Sequence, residues 1–233
     1  MTNPVRIEWM DLGLIGYDEA FAVQTELYER RLRNECPGTI LFQENFHVIT
    51  FGRWASEDNL LVSRDTLQRN GVSVRNVSRG GEVTYHGPGQ LVISPILKLE
   101  RMAIGVHKYM RRLEQVVINL LAAWGIAGKR APGASGVWIG NRKIAAVGIA
   151  VKSGITQHGV AVNVCTDLSY FDTIVPCGLR NRGVTSMKAQ GAGGDLSLRQ
   201  VRDRFLYEFS NLFEVEVGES QSFTGGAVKC CAK

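Results

Sequence analysis

The sequence has 233 residues, of which 45% are hydrophobic and 21% are charged, and its formal net charge is +5. These values are typical of a folded chain with one sizeable domain. No apolar run reaches about 18 residues, which excludes a helix that spans a membrane. The mild positive charge favours acidic partners, but it does not choose between nucleic acid and an acidic protein.

The cysteines indicate a reducing compartment. Their number is odd, their spacing is irregular, and no secretory signal precedes them, so we expect free thiols in the cytoplasm and not a disulfide framework. Cys165 ends an apolar segment and is expected in the core. The four histidines are scattered, so no metal site is expected. The five cysteines are Cys36, Cys165, Cys177, Cys230 and Cys231.

The first part of the chain alternates strands and helices. Hydrophobic periodicity predicts a helix over Asp18–Glu35, which Cys36-Pro37-Gly38 ends, and a short helix around Arg64–Asn70. Strands are predicted on either side of the first helix, over Val5–Met10, Ile40–Gln43 and His47–Phe51.

The second part begins with the clearest helix, Val106–Trp124, whose apolar residues follow a 3.6-residue period. Strands follow, and a last helix begins at Ser197, where Ser197 and Gln200 have capping-box spacing. This order predicts an α+β fold with a mixed sheet packed by helices, in a single domain over residues 1–217 with a flexible tail over 218–233. The later strands are Val137–Ile139, Lys143–Val147, Ile149–Lys152, Gly159–Val164 and Glu214–Val217.

A lysine lies in an unusual place on one of these strands. Regular alternation puts Lys143 on the same face as Ala145 and Val147, with Arg142, Ile144 and Ala146 on the other face. A lysine among small apolar side chains is unexpected on a solvent face. We therefore predict that Lys143 looks into a pocket.

A glycine-rich stretch, Arg79–Gln90, reads RGGEVTYHGPGQ and combines four glycines with an arginine and a histidine. Glycines let a backbone approach a ligand closely, but such a stretch is also common in surface turns. His86 could orient a substrate or be a buried, hydrogen-bonded histidine. Both interpretations stay open at this point.

Cys177 is a candidate nucleophile. It lies between Pro176 and Gly178, which suits a side chain presented at a turn, and Arg180 and Arg182 follow it. A nearby cation such as Lys143 would favour its thiolate. Taken alone, a cysteine is more often a small buried residue.

Three segments together are similar to a known family. They are Arg79–Gln90, Gly140–Gly148 with Lys143, and PCGLRNRGVTSM over Pro176–Met187; Gln157–Asn163 also fits. The chain resembles the octanoyl-[acyl-carrier-protein]–protein N-octanoyltransferases, also called lipoate–protein ligase B. The family pattern is R-G-G, then T-aromatic-H, then a glycine and a glutamine. One departure is Ser94, where the family usually has a tyrosine, which bears on the packing beneath the pocket and on the acyl length accepted.

This resemblance implies the fold of the biotin and lipoate protein ligase catalytic domains and acyl transfer in two steps. Cys177 would take an octanoyl group from acyl carrier protein as a thioester, and Lys143 would hold the thiolate and move protons. The acceptor would be a lysine of a lipoyl domain, in the E2 subunits of 2-oxoacid dehydrogenases or in the glycine cleavage H protein. We expect a monomer that needs no ATP or metal and binds neither nucleic acid nor membrane.

The resemblance also assigns the acyl pocket. Small residues suit a narrow slot for an eight-carbon chain. The implied lining residues are Arg79, Gly80, Gly81, Glu82, Val83, Thr84, Tyr85 and His86, then Ala146, Val147 and Gly148, and finally Gly159, Val160 and Ala161.

Two other functions remain in competition. An ATP-dependent lipoate–protein ligase on the same fold could also use Lys143, but it would not need Cys177. A non-catalytic module that binds acylated carrier protein would form no covalent adduct. Nucleic-acid binding has little support, because the sequence has no interleaved aromatic and basic residues.

Overall fold

The computed structural model describes residues 5–175, 182–193 and 196–220. Four α-helices lie in these ranges: α1 (Tyr17–Leu32), α2 (Arg64–Arg69), α3 (Val106–Ala122) and α4 (Leu198–Phe213). The strands in the same ranges are β1 (Val5–Ile15), β2 (Gly38–Asn45), β3 (Val48–Phe51), β4 (Ser73–Asn76), β5 (Val83–His86), β6 (Gln90–Ile96), β7 (Lys129–Ala131), β8 (Ala134–Ile139), β9 (Arg142–Lys152), β10 (Ile155–Asn163), β11 (Gly183–Val184) and β12 (Val215–Glu219).

The described strands form two sheets. The main sheet has the order β12-β1-β2-β6-β10-β9-β8-β7, and β11 pairs with β9. The β12–β1–β2 and β9–β11 pairs are parallel, and the others in this sheet are antiparallel. A small second sheet, β4-β3-β5, carries part of the glycine-rich stretch. The predicted α+β fold with a mixed sheet is confirmed.

Helices α3 and α4 cover one face of the main sheet. Leu113, Val117 and Leu120 on α3 and Phe205 and Phe209 on α4 are fully buried in the same core cluster. Burying such side chains contributes about 1.5–3 kcal/mol each, which holds both helices on the sheet. The predicted cap of α4 is also present: the Ser197 hydroxyl accepts from the Gln200 N–H, and the Gln200 side chain accepts from the Ser197 N–H.

A buried carboxylate fastens α3 to β8. Glu114 is 1% exposed, and its carboxylate accepts from the Arg130 side chain at 3.1 Å and from the Arg111 side chain at 2.9 Å. Its other oxygen accepts from the Gly136 backbone N–H at 3.1 Å. The charge is paired and its oxygens are bonded, so its burial is tolerated.

Several element boundaries differ from the prediction. Helix α1 ends at Leu32, before Glu35, and β10 begins at Ile155 rather than Gly159. The glycine-rich stretch contains strand β5, which pattern alone does not show because its partner β3 is distant in sequence.

Two expectations about single segments also change. Cys165 is exposed, not in the core, because it lies two residues past the end of β10, where its backbone N–H donates to the Gly89 carbonyl. Strand β12 runs to Glu219, two residues past the expected domain boundary, and pairs with β1. None of the helices in the described ranges is long and apolar enough to cross a bilayer.

Candidate active site

A cavity lies between the main sheet and the second sheet, beside α1. Lys143 lines it, and so do eleven of the fourteen residues that the family resemblance assigned to the acyl pocket. These eleven are Arg79, Gly80, Gly81, Thr84, His86, Ala146, Val147, Gly148, Gly159, Val160 and Ala161. The fold therefore brings the glycine-rich stretch and strands β9 and β10 to one place.

The other three residues do not line this cavity. Strand β5 alternates, so Thr84 and His86 face the cavity while Val83 and Tyr85 face the opposite side. Tyr85 is fully buried there and stacks on Tyr170 with ring centroids 5.0 Å apart. The Glu82 carbonyl accepts from the Gly52 N–H, next to the Phe51–Val83 pair of β3 and β5. For these three, the expected place in the pocket is corrected.

Lys143 reaches the cavity by a different route from the one predicted. Lys143 is paired with Trp138 but Ala145 is paired with Val137, so Ile144 is an extra residue, a β-bulge. Because Val137 and Trp138 point to opposite faces, Lys143 and Ala145 do too. Lys143 thus shares the face of Ala146 and not that of Ala145. The predicted alternation is wrong here, since a bulge shifts the period by one residue.

Two cationic side chains lie over the ring of Trp138, next to the part of the cavity that Lys143 lines. The Lys143 Nζ lies 4.8 Å from the centroid of its ring, and the Arg182 guanidinium carbon lies 5.0 Å from it. Lys143 itself is 7% exposed. A lysine held in this way keeps its amine inside the site, and the aromatic face offsets part of its lost hydration.

A chain of side-chain amides fixes the orientation of His86. Asn163 donates to the Thr185 carbonyl and presents its oxygen to the Gln90 amide nitrogen at 2.9 Å. Gln90 must then present its oxygen to His86 Nδ1, which lies 2.7 Å away. This network places the proton on Nδ1 and leaves the Nε2 lone pair near the Thr50 hydroxyl, at 3.4 Å. Thr185 also donates its backbone N–H to the Lys143 carbonyl, so the network ends at the lysine strand.

Two buried histidines in the cavity wall are neutral. Burial, with a smaller effect of Arg79, lowers the pKa of His86 to about 4. Burial also lowers the pKa of His158 to about 4, with Arg79 again the second cause. Both rings are therefore uncharged at neutral pH, and each can accept a hydrogen bond.

Arg79 links strand β3 of the second sheet to the segment that contains Gly80 and Gly81. Its Nη2 donates to the Thr50 carbonyl at 2.7 Å and to the Thr50 hydroxyl at 2.9 Å. A Cβ on Gly52 would lie 2.2 Å from the Gly81 carbonyl oxygen, so only glycine permits this approach. The Gly80 N–H donates to the Ile149 carbonyl and is already engaged.

Cys177, Arg180, Cys230 and Cys231 lie outside the described residues. The strand that follows the Cys177 segment is β11, where Val184 pairs with Lys143. In the described ranges, no three His, Cys, Asp or Glu side chains are grouped so that they could hold a metal ion.

Sequence reasoning missed part of the lining. The missed residues come from α1, β2, β3, β6, β8 and β10 and are mostly polar. The signal available was a polar residue at an inward position of an apolar strand, as in the β2 sequence ILFQEN. The main ones are Tyr17, Gln24, Gln43, Asn45, Thr50 and His158, whereas Ser94, which the sequence analysis related to the pocket, lines the cavity as well.

Comparison with known proteins defines the class of protein. The model of the lipoyl protein ligase A/B catalytic domain matches residues 16–210, and the chain belongs to this family. Among relatives, the octanoyltransferase of Solibacter usitatus is 46% identical, with 88% of this chain and 92% of the relative covered. The octanoyltransferase of Alkaliphilus metalliredigens is 42% identical, with 91% and 97% covered. The resemblance drawn from the motifs is confirmed.

Solved structures share the fold at low identity. A lipoate-protein ligase A bound with ATP superposes with a TM-score of 0.72 at 17% identity, covering 93% of this chain and 88% of the other. A bi-partite lipoate protein ligase from Thermoplasma acidophilum gives 0.70 at 17% identity, with 93% and 86% covered. A biotin protein ligase from Aquifex aeolicus gives 0.54 at 16% identity, with 89% and 70% covered. The predicted fold family is confirmed.

Proposed function

We propose that the chain transfers an octanoyl group from acyl carrier protein to a lysine of a lipoyl domain, through a thioester on Cys177. The observation that carries this is the position of Lys143. A β-bulge turns its amine into a cavity lined by small residues, beside the strand that follows the Cys177 segment. The ATP-dependent ligase is not favoured, because the curated relatives are octanoyltransferases.

The cavity suits an acyl chain. Its middle consists of Ala146, Gly148, Gly159 and Ala161, which pair across β9 and β10. Small side chains on paired strands leave a narrow groove above the sheet, wide enough for a chain of methylenes. The thioester carbonyl would lie at the Lys143 end, and the chain would run across the strands.

In the first step, the Cys177 thiolate attacks the carbonyl carbon of the carrier thioester. The bond from this carbon to the carrier sulfur breaks, and the leaving thiolate takes a proton from Lys143. In the second step, the acceptor amine attacks the enzyme thioester and gives a proton to Lys143. The carbon–sulfur bond to Cys177 breaks, and an amide remains. The donor is already activated, so no ATP is consumed.

Neighbouring groups would position the reaction. The Gly80 N–H is engaged by Ile149, which leaves the Gly81 N–H as the candidate donor to the developing oxyanion. Neutral His86, fixed through Gln90, would line the cavity wall without adding a charge to it. Arg182, stacked on Trp138, would help to dock acidic carrier and lipoyl domains.

The test is intact-mass measurement of the purified protein mixed with octanoyl-acyl carrier protein and no ATP. We expect a gain of one octanoyl group, which is lost in Cys177→Ala and retained in Cys165→Ala, the control at an exposed cysteine. Addition of a lipoyl domain should then discharge the adduct. Activity seen only with ATP and free octanoic acid would overturn the proposal in favour of a ligase.

A further inference from the structure

A second depression lies at the opposite end of α1 from the cavity. Tyr17, the first residue of α1, lines the cavity, whereas Arg31, in its last turn, lines this depression. Gly38 at the start of β2 borders the depression, and Gln43, further along the same strand, borders the cavity. At about 3.3 Å per residue, roughly 17 Å separate these two positions. The depression is therefore distinct from the candidate active site.

Among the described residues, three arginines and one carboxylate line the depression. Arg6 lies on β1, Arg31 on α1, and Arg101 in the short 3₁₀ helix that follows β6. Arg6 and Arg101 are exposed, and neither guanidinium makes a hydrogen bond or an ion pair within the described ranges. The carboxylate of Glu35 accepts from the Arg33 side chain at 2.6 and 2.9 Å and is already paired. The depression thus carries an excess of positive charge.

Arg31 is buried without an acidic partner. It is 5% exposed, and its Nη1 donates to the Asn34 side-chain oxygen at 3.5 Å and to the Cys36 carbonyl at 3.4 Å. Both distances are long for hydrogen bonds. No carboxylate forms an ion pair with Arg31 within the described ranges. A buried charge is costly unless it is paired, so this guanidinium favours a counter-anion.

One donor atom of Arg31 is open to the depression. Its Nε is enclosed and has no partner, so a ligand does not reach it. Its Nη2 makes no hydrogen bond within the described residues either, but Nη2 is not enclosed and is the donor that a bound anion would contact. Burial, and after it the repulsion of Arg101, lowers the pKa of the Arg31 guanidinium. An anion held between the two arginines would pair both cations.

Arg202 shows how this chain pairs a partly buried arginine internally. Its guanidinium contacts the Asp11 carboxylate at 2.6 Å and the Asp203 carboxylate at 2.8 Å. Arg31 is more deeply buried than Arg202, yet no carboxylate of the described residues takes the corresponding place beside it. The counter-anion of Arg31 would therefore come from solution.

We propose that this depression is a phosphate-binding site, formed by Arg6, Arg31 and Arg101, for inorganic phosphate or the phosphate group of a small phosphomonoester. Guanidinium groups present planar pairs of donors that match phosphate oxygens. The lining carries three cations and one carboxylate, so a dianion balances it, and a phosphate monoester is close to a dianion at neutral pH. The site goes beyond the proposed function, because it uses neither the cavity nor Cys177.

The experiment is calorimetry of inorganic phosphate binding to the full chain at neutral pH, with chloride adjusted to keep the ionic strength constant. We expect one saturable site in the wild type. Arg101→Gln and Arg6→Gln should each lower the affinity about tenfold, since each removes one charge-assisted contact. Arg31→Lys keeps the charge but loses the planar pair of donors, and it should lower the affinity about threefold. Arg69→Gln, the same change at an exposed arginine on α2, should bind phosphate as the wild type does.

Glycerol 3-phosphate in the same titration separates the two sources of the phosphate group. Tighter binding than that of inorganic phosphate would identify a phosphomonoester as the ligand. Equal or weaker binding would identify free phosphate.

Absence of saturable binding to the wild type, or equal affinity in the wild type and Arg101→Gln, would overturn the site. Thermal unfolding gives a second readout, because a ligand that binds only the folded chain stabilises it. Phosphate should raise the melting temperature of the wild type but not that of a variant with both Arg6→Gln and Arg101→Gln. The Cys177 adduct should form in all of these variants, which separates failure of this site from failure of the proposed function.

Discussion

The Nζ atom of Lys143 lies over the Trp138 ring, 4.8 Å from its centroid, because the bulge at Ile144 pairs these two residues across β8 and β9. A β-bulge commonly re-aims one side chain at a functional site. Without the bulge, regular alternation would point Lys143 towards the core beneath the helices; with it, Lys143 points into the cavity. The bulge between two strands thus supplies one of the buried cations of the site.

Trp138 should act as a positioning residue for this lysine. Trp138→Leu removes the aromatic face, and we expect kcat of octanoyl transfer to fall about tenfold, roughly 1.4 kcal/mol, with KM unchanged. Trp138→Phe keeps a ring and should remain within about threefold of the wild type. Steady-state kinetics with both variants checks this. If kcat falls equally in both variants, or if only KM changes, the ring does not position the amine.

Lys143 should have two separable roles, in charge and in proton movement. Lys143→Arg keeps a cation but neither gives nor accepts a proton, so the acyl-enzyme should form more slowly, because the carrier thiolate takes its proton from water instead, while transfer to the lipoyl domain falls at least a hundredfold. Lys143→Met should lose both steps. Time-resolved intact mass separates the two variants. If Lys143→Arg discharges its adduct at the wild-type rate, Lys143 is not the proton carrier.

The neutral histidines predict a pH dependence of stability. The pKa of His158 is lowered to about 4 in the folded state, while an unfolded histidine titrates near 6.5. The unfolded chain therefore binds more protons below about pH 6.5. The stability from burying a neutral ring is complete above that pH and is lost as the pH falls towards 4, by about 1.4 kcal/mol per pH unit for each histidine.

The variant to use is His158→Asn. His158 has a φ of +56°, a left-handed conformation that asparagine tolerates. Urea unfolding at pH 7.5 and pH 5 should show a loss of stability on acidification that is smaller than in the wild type, by roughly 1–2 kcal/mol. An identical loss in both proteins would mean that the ring of His158 is not held neutral by the fold.

Replacing Gly159 with a larger residue should lower the free energy of unfolding. A Cβ there would lie 2.2 Å from the Ile93 carbonyl oxygen and 2.8 Å from Pro95 Cδ, on the neighbouring strand β6. Gly159→Ala should destabilise the protein by about 2 kcal/mol and lower its melting temperature by about 4–8 °C. Gly218→Ala, with no atom within 4 Å of the added Cβ, is the control. Equal melting temperatures for the two variants would contradict the close approach of β10 to β6.

The sequence by itself determined the local features of this protein. The capping box of Ser197 and Gln200, the apolar stripe of α3 and the family motif around Arg79–Gln90 are encoded within a few residues of each other. Their physical causes are short-range: hydrogen bonds within one turn, a period of 3.6 residues, and glycines that permit close backbone contact.

Only the tertiary structure decided which side chains meet. The face of Lys143 depends on its register against Trp138, and the position of Val83 and Tyr85 on the side away from the cavity depends on the pairing of β5 with β3. Gln43 lines the cavity because β2 lies beside β6, about fifty residues later in the chain. Strand register is a property of two distant segments and of the turn or bulge between their pairs, so the periodicity of one segment cannot reveal it.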